Sequence, residues 1–263
     1  MKTFKLLSIG NSFSDDAERY LYDILFDYGY TNIIISNLFI GGCTLETHTK
    51  NAIEDNKAYV LKVYDKNGYH ECENYSIKEA LKDDYDYITL QQASYLSGVD
   101  NSYLVDKYQF NIPYLCYLDY LIDYVKENST NKPKFYFHMT WSYDINFKGE
   151  TFRYYNYSQE EMENGIVRCL KKFVIPNKNH LTIIPNMYVI RSLRQIEGRD
   201  VTRDGFHLSL DFGRLSASLS YFSAITSKDP LYLNKPDLFS YNALYNAYLA
   251  NQNAKRFLKL LLA

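Results

Sequence analysis

Phe4-Lys5-Leu6-Leu7-Ser8-Ile9-Gly10-Asn11-Ser12-Phe13-Ser14 is the stretch on which the reading of the fold turns. The apolar run Phe4 to Ile9 reads as a strand, and it passes through Gly-Asn-Ser straight into a helix-like segment, Asp15 to Tyr28. There Tyr20, Leu21, Ile24, Leu25 and Tyr28 recur at helical spacing, and Gly29 supplies a stop. A strand that turns sharply into a helix is the opening of an open α/β sheet. Such a sheet binds its ligands at the carboxyl ends of its strands, which is where this reading puts Ser12.

Working outward, Asn32 to Leu38 is a second β-rich run ending at Phe39-Ile40-Gly41-Gly42, and Thr44 to Asn56 has the composition of a crossover helix. Ala58 to Asp65 and Tyr69 to Tyr75 flank Lys66-Asn67-Gly68, and Asn-Gly between alternating runs signals a hairpin, inserted at about 58–75. Tyr85 to Gln91, Lys134 to His138 and Leu181 to Pro185 read as the third, fourth and fifth core strands. Tyr103 to Glu127 reads as helix with a break near Pro113, and Met187 to Gln195 and Ser209 to Ile225 as helices around a loop, Gly198 to His207. After Pro230 and Pro236, an amphipathic stretch from Phe239 to Leu262 makes a helical extension at about 237–263. The expectation is one α/β domain over 1–263, with a five-stranded parallel, doubly wound sheet. The apolar end of that extension is read mainly as packing on the domain, with a contact between copies in a homo-oligomer as the minority reading.

Composition narrows the function. Lys+Arg 29 against Asp+Glu 31 gives a formal charge of -2 with no basic stripe, which argues against a nucleic-acid partner. No apolar run approaches the roughly 18 residues of a membrane span, and the N-terminal apolar stretch is too short for a signal-peptide core. The expected location is therefore the cytoplasm, although a leader already removed would leave no trace. Cys43, Cys72, Cys116 and Cys169 are scattered without CxxC spacing, so no metal or redox site is expected. The 28 Tyr and 15 Phe suit stacking on sugar rings, but skewed genomic base composition is the favoured account of them, so they carry little functional weight.

A second short segment, Asp204-Gly205-Phe206-His207, completes a chemical set with Ser12. A serine hydroxyl needs a base to take its proton, and Asp204 and His207, three apart on a glycine-containing turn, could bring an imidazole and its orienting carboxylate on one loop. For Ser12 alone the competing reading is a helix cap, because Ser12-x-x-Asp15 is a capping-box-like pattern and Ser14 could serve as well. His207 alone could be a turn residue. An oxyanion needs donors, and the N–H groups of Ser12 and Gly42 are the main candidates, with the Gln92 amide as a third. Asn11, Gln91, His138 and Trp141 sit at the same strand ends and are candidate substrate contacts. A structural role is equally open for His138, and the Gly41-Gly42 pair also makes sense as a tight turn.

These segments resemble the SGNH (GDSL-like) hydrolase superfamily. The particular forms Gly-Asn-Ser-Phe-Ser, Gly-Gly-Cys-Thr, Leu-Gln-Gln and Asp-Gly-Phe-His look like its bacterial DUF4886 branch. The resemblance implies a flavodoxin-like three-layer α/β/α sandwich with Ser12 as nucleophile, Gly42 as an oxyanion donor, and Asp204 and His207 completing a triad. It also implies an esterase that needs no metal or organic cofactor. The third block departs from the superfamily pattern, because Gln91-Gln92-Ala93-Ser94 stands where Gly-x-Asn-Asp is usual. Its glutamine is similar to the third block of sialate O-acetylesterase and acetylxylan esterase relatives, which, with the aromatic content, points to O-acetylated carbohydrate. Kept beside this are a lipase- or thioesterase-type acyl hydrolase and a carbohydrate-binding protein of the same fold with weak or no catalysis.

Overall fold

The computed structural model describes residues 2–100, 114, 116–177, 181–230 and 239–262. In chain order the main elements are β1 (Thr3–Gly10), α1 (Ser12–Glu18), α2 (Leu21–Asp27), β2 (Asn32–Phe39), α3 (Leu45–Glu54), β3 (Tyr59–Asp65), β4 (Gly68–Tyr75), α4 (Ile77–Ala80) and β5 (Tyr87–Leu90). They continue with α5 (Tyr117–Asn128), β6 (Lys134–His138), α6 (Gln159–Cys169), β7 (Leu181–Ile184), α7 (Asn186–Glu197), α8 (Phe212–Thr226) and α9 (Tyr241–Leu262).

One seven-stranded sheet runs β4-β3-β2-β1-β5-β6-β7. β2, β1, β5, β6 and β7 are mutually parallel, and the expected hairpin, β3 and β4, adds two antiparallel strands beyond β2. The hairpin thus extends the sheet to seven strands. Among the parallel strands the spatial order is second-first-third-fourth-fifth, the flavodoxin-like doubly wound order, whose chain reversal falls between β1 and β5. α3 packs on α5, while α1, α2, α7, α8 and α9 pack among themselves. Strands covered on both sides must be apolar nearly throughout, as in β1, where Phe4, Leu6, Leu7 and Ile9 are fully buried. β4, the exposed edge, carries His70, Glu71 and Glu73 instead, which discourages edge-to-edge pairing.

Two helices differ from their expected spans. The single helix read over Asp15 to Tyr28 is broken at Arg19-Tyr20, because the Tyr20 N–H donates to Ser218 Oγ of α8 (3.2 Å). α8 starts at Phe212 and not Ser209, since the Ser209 N–H pairs with Val201 O (2.8 Å) and its hydroxyl accepts from Gly213 N (3.1 Å). α6 has no counterpart in the sequence reading. Residues 103–113 of the expected long helix, and Pro236, lie outside the described residues.

The segment after β5 is held by a backbone-to-backbone contact. The Cβ of an alanine at Gly165, inside α6, would lie 2.5 Å from Gly98 O, while Tyr155 Oη accepts from Gly98 N (3.0 Å) and donates to Tyr95 O (3.0 Å). Gly→Ala inside a helix ordinarily stabilises by about 1 kcal/mol. Here Gly165→Ala is expected to destabilise by roughly 1–3 kcal/mol, because neither backbone can yield without disturbing the packing. Urea unfolding of the variant checks this, and a gain in stability would show the contact to be looser than described.

Candidate active site

β1 ends at Gly10, where a Cβ would come within 2.2 Å of Ser14 Oγ, so the chain can fold back into α1 only without a side chain there. Asn11 caps α1, its Oδ1 accepting from Phe13 N (3.0 Å). Neither Ser12 nor Ser14 is the cap. Ser12 becomes the first helical residue, its hydroxyl is available for other work, and its N–H is among those a helix start leaves without an intrahelical partner.

The hydroxyl meets His207 from 195 residues away: Ser12 Oγ lies 2.9 Å from His207 Nε2. On the other side of the ring, His207 Nδ1 lies 2.6 Å from Asp204 Oδ2. A carboxylate accepts, so Nδ1 carries the proton and Nε2 is left to accept from Ser12. Asp204 Oδ1 also accepts from the N–H groups of His207 (2.8 Å) and Phe206 (3.2 Å). Partial burial opposes the Asp204 charge, but the hydrogen bonds from the His207 ring and the two N–H groups outweigh it and hold the carboxyl below its ordinary range.

The turn carrying this pair is pressed against the loop after β6. Gly205 has φ +93°, and a Cβ there would lie 2.5 Å from the ring of Phe147. Trp141 Nε1 donates to Phe206 O (2.7 Å), and Asp144 N to Gly205 O (2.7 Å).

Beside Ser12 and His207 opens a cavity of about 410 Å³. Gly41 and Gly42 line one part, and Phe13, Phe39, Tyr95, Tyr143, Phe147 and Phe206 supply aromatic walls. Gly42 has φ +64° in the turn between β2 and α3.

Of the remaining expected site residues, Asn11 reaches the cavity lining, and the others lie beneath it or behind its loops. Asn11, 1% exposed, accepts from Gln91 Nε2 (2.6 Å) and donates to Cys43 O (3.1 Å), tying the Gly42 turn to the turn that carries Ser12. Gln91 Oε1 in turn accepts from Ser14 Oγ (2.6 Å) and His138 Nδ1 (2.8 Å), and Asn186 Nδ2 donates to His138 Nε2 (3.0 Å). The carbonyl of Gln92 is occupied by the N–H groups of Leu45 (3.1 Å) and Ala93 (2.8 Å), so it holds the start of α3. Trp141 is fully buried and stacks on Phe13 at 4.3 Å between ring centres. Gln91, Gln92, His138 and Trp141 therefore differ from their expected places at the substrate surface. Each has its polar group committed to protein partners and is buried below the cavity, not on its lining.

Sequence reading missed the cavity walls Tyr95, Tyr143 and Phe147, which come from loops without periodicity. It also missed Asp16, which is buried among Arg203, Arg214 and the Leu208 N–H. Among the described residues no three His, Cys, Asp or Glu are grouped as metal ligands would be, and no helix is long and apolar enough to cross a membrane.

A family model for the domain of unknown function DUF4886 matches residues 5–254. Among solved structures, a DUF4886 family protein from Bacteroides uniformis ATCC 8492 is 34% identical, with 97% of this chain and 96% of that one covered and a TM-score of 0.85. Axe2, an acetylxylan esterase from Geobacillus stearothermophilus, is 13% identical over 85% of this chain and 95% of its own, with a TM-score of 0.54. BT4096, a gut microbial diltiazem-metabolizing enzyme, is 14% identical over 85% of this chain and 47% of its own, with a TM-score of 0.51. The last two likenesses are of fold. A comparison with curated protein sequences found no match.

Burial lowers the pKa of His138 to about 3, and that of His48, behind the Gly42 turn, likewise to about 3. Unfolded histidines take up a proton near pH 6.5, whereas these two stay neutral while folded, so the stability they carry is complete above about pH 6.5 and is lost as pH falls toward 3. Each contributes up to roughly 1.4 kcal/mol per pH unit in that window. In an NMR titration the two ring signals are expected to stay fixed from neutrality down to acid unfolding. A midpoint near 6 for either would contradict its assigned burial.

Proposed function

The chain belongs to the DUF4886 family, and from the geometry of its site we propose that it is a serine esterase working through an acyl-Ser12 intermediate. The observation that carries this reading is the run of contacts Ser12 Oγ to His207 Nε2 and His207 Nδ1 to Asp204 Oδ2, at 2.9 and 2.6 Å, opening on a cavity. In the proposed sequence the Ser12 oxygen attacks the ester carbonyl as its proton passes to His207 Nε2. Asp204 keeps the ring in the required tautomer and stabilises the imidazolium that forms. His207 then protonates the leaving alcohol and its C–O bond breaks; a water molecule, deprotonated by the same nitrogen, attacks the acyl carbon, the bond to Ser12 Oγ breaks as His207 returns the proton to that oxygen, and the acid leaves.

Charge on the tetrahedral oxygen would be met by the N–H groups of Ser12 and Gly42, the latter on a turn where the absence of a side chain allows close approach. Because Gln92 is buried and off the cavity lining, with its side-chain carbonyl accepting at the start of α3, this reading rests on the two backbone donors and gives Gln92 the task of fixing the loop that carries one of them.

For the substrate we favour an acetyl ester on a carbohydrate. The fold shared with an acetyl-xylooligosaccharide esterase and the aromatic walls support it, since a sugar's apolar face stacks well on Phe and Tyr rings. Those same apolar walls also support a second reading, in which the cavity holds a longer acyl chain.

Ser12→Ala and His207→Ala are each expected to lower hydrolysis of p-nitrophenyl acetate at least about 10³-fold. Acetylated xylo-oligosaccharides against p-nitrophenyl esters of increasing chain length then separate the substrates. Rates rising with chain length would favour the acyl-chain reading, and Ser12→Ala as active as the parent would end the esterase assignment.

A further inference from the structure

Asp16 lies one helical turn beyond Ser12 on α1 and is 1% exposed. Its carboxylate accepts from Arg203 Nη1 at 3.0 Å to each oxygen, from Arg214 Nε at 2.8 Å and from the backbone N–H of Leu208 at 2.8 Å. Two of these partners bracket the catalytic turn, Arg203 immediately before Asp204 and Leu208 immediately after His207. The neck of the turn is closed by Arg203 N donating to His207 O (2.8 Å), and Arg203 Nη1 also donates to Leu208 O. Arg214 brings in the helix that follows. Thus one buried carboxylate on the nucleophile's own helix grips both ends of the four-residue segment that carries the base and its orienting acid.

Resting on the esterase reading, we infer that Asp16 is a positioning residue that sets the distance between Ser12 Oγ and His207 Nε2, with Arg203 and Arg214 as its grips. The physical argument is one of registry. The nucleophile and the base lie on segments 195 residues apart, and their 2.9 Å contact sits at the rim of a cavity. Trp141 and Asp144 fix the turn to the β6 loop, but neither belongs to α1. Asp16 refers the turn directly to α1. An ångström of drift between reacting groups costs on the order of 10²-fold in rate. Removing the charge leaves two guanidinium groups facing a neutral amide that can accept at one oxygen only.

The test compares Asp16→Asn with the parent in three measurements. Asp16→Asn is expected to lower kcat about 10²-fold with KM for p-nitrophenyl acetate little changed. The far-downfield NMR signal of the His207 Nδ1 proton, which reports its bond to Asp204, is expected to be present in the parent and broadened or lost in the variant. In the His207→Ala background, Asp16→Asn is expected to have no further effect on the residual rate, because it acts through the imidazole. If Asp16→Asn does not fold, Arg203→Gln, which leaves Asp16 held by Arg214 and Leu208 N, carries the same three measurements. A variant with lowered unfolding midpoint but unchanged kcat and His207 signal would overturn the inference. So would an undiminished loss of rate in the His207→Ala background. If instead the parent's activity proves independent of Ser12 and His207, the esterase reading fails by itself, and the His207 signal still decides whether Asp16 positions the turn.

Discussion

A buried carboxylate held by two guanidinium groups and a backbone N–H joins the start of the chain to its last core loop, and the arrangement of the site hangs on that junction. Isolated, the Asp16 charge would be prohibitively costly in so dry a place. With Arg203, Arg214 and Leu208 N around it, the desolvation is offset by charge-assisted hydrogen bonds. Removing one member of such a cluster typically costs about 3–5 kcal/mol, because the remaining charges stay behind unpaired. The parallel sheet makes the coarse placement by gathering strand ends on one edge, and the ion cluster makes the fine one by tying the Asp204–His207 turn to the helix of Ser12.

Below the cavity the protein changes from charges to neutral amides. Asn11, Gln91, His138 and Asn186 form a continuous buried chain of hydrogen bonds across the ends of β1, β5 and β6 to the start of α7. The chain links neutral groups without the cost of burying an ion, and Asn11 extends it to the Gly42 turn through Cys43 O. The two proposed oxyanion donors, on α1 and on the turn after β2, are therefore held by one shared side chain. Burial keeps His138 neutral and makes it a fixed strut, while His207, nearer solvent, places its Nε2 2.9 Å from the Ser12 hydroxyl.

Much of this was legible in the sequence, because apolar runs and turn residues are local signals. The five parallel strands, the Asn67-Gly68 hairpin and the stop at Gly29 all follow from patterns a few residues long. The pairing of Ser12 with His207 was inferred from fold logic, since strand ends share an edge. What could not be read depends on contacts between distant segments. The break at Tyr20 is made by Ser218, and the late start of α8 by Val201. Gln91, Gln92, His138 and Trp141 stand at strand ends as expected, but strand alternation does not reveal whether a polar tip meets a cavity or another buried amide. Asp16 looked like any acidic residue of a first helix, because its partners lie about 190 residues downstream.

The central claim is that Ser12 forms a covalent bond during turnover, and intact-protein and peptide mass spectrometry after a fluorophosphonate probe tests it most directly. A single adduct on the peptide carrying Ser12, formed by the parent and absent in His207→Ala, is the expected result. An adduct on another residue, or equal labelling of Ser12 with and without the histidine, would contradict the account.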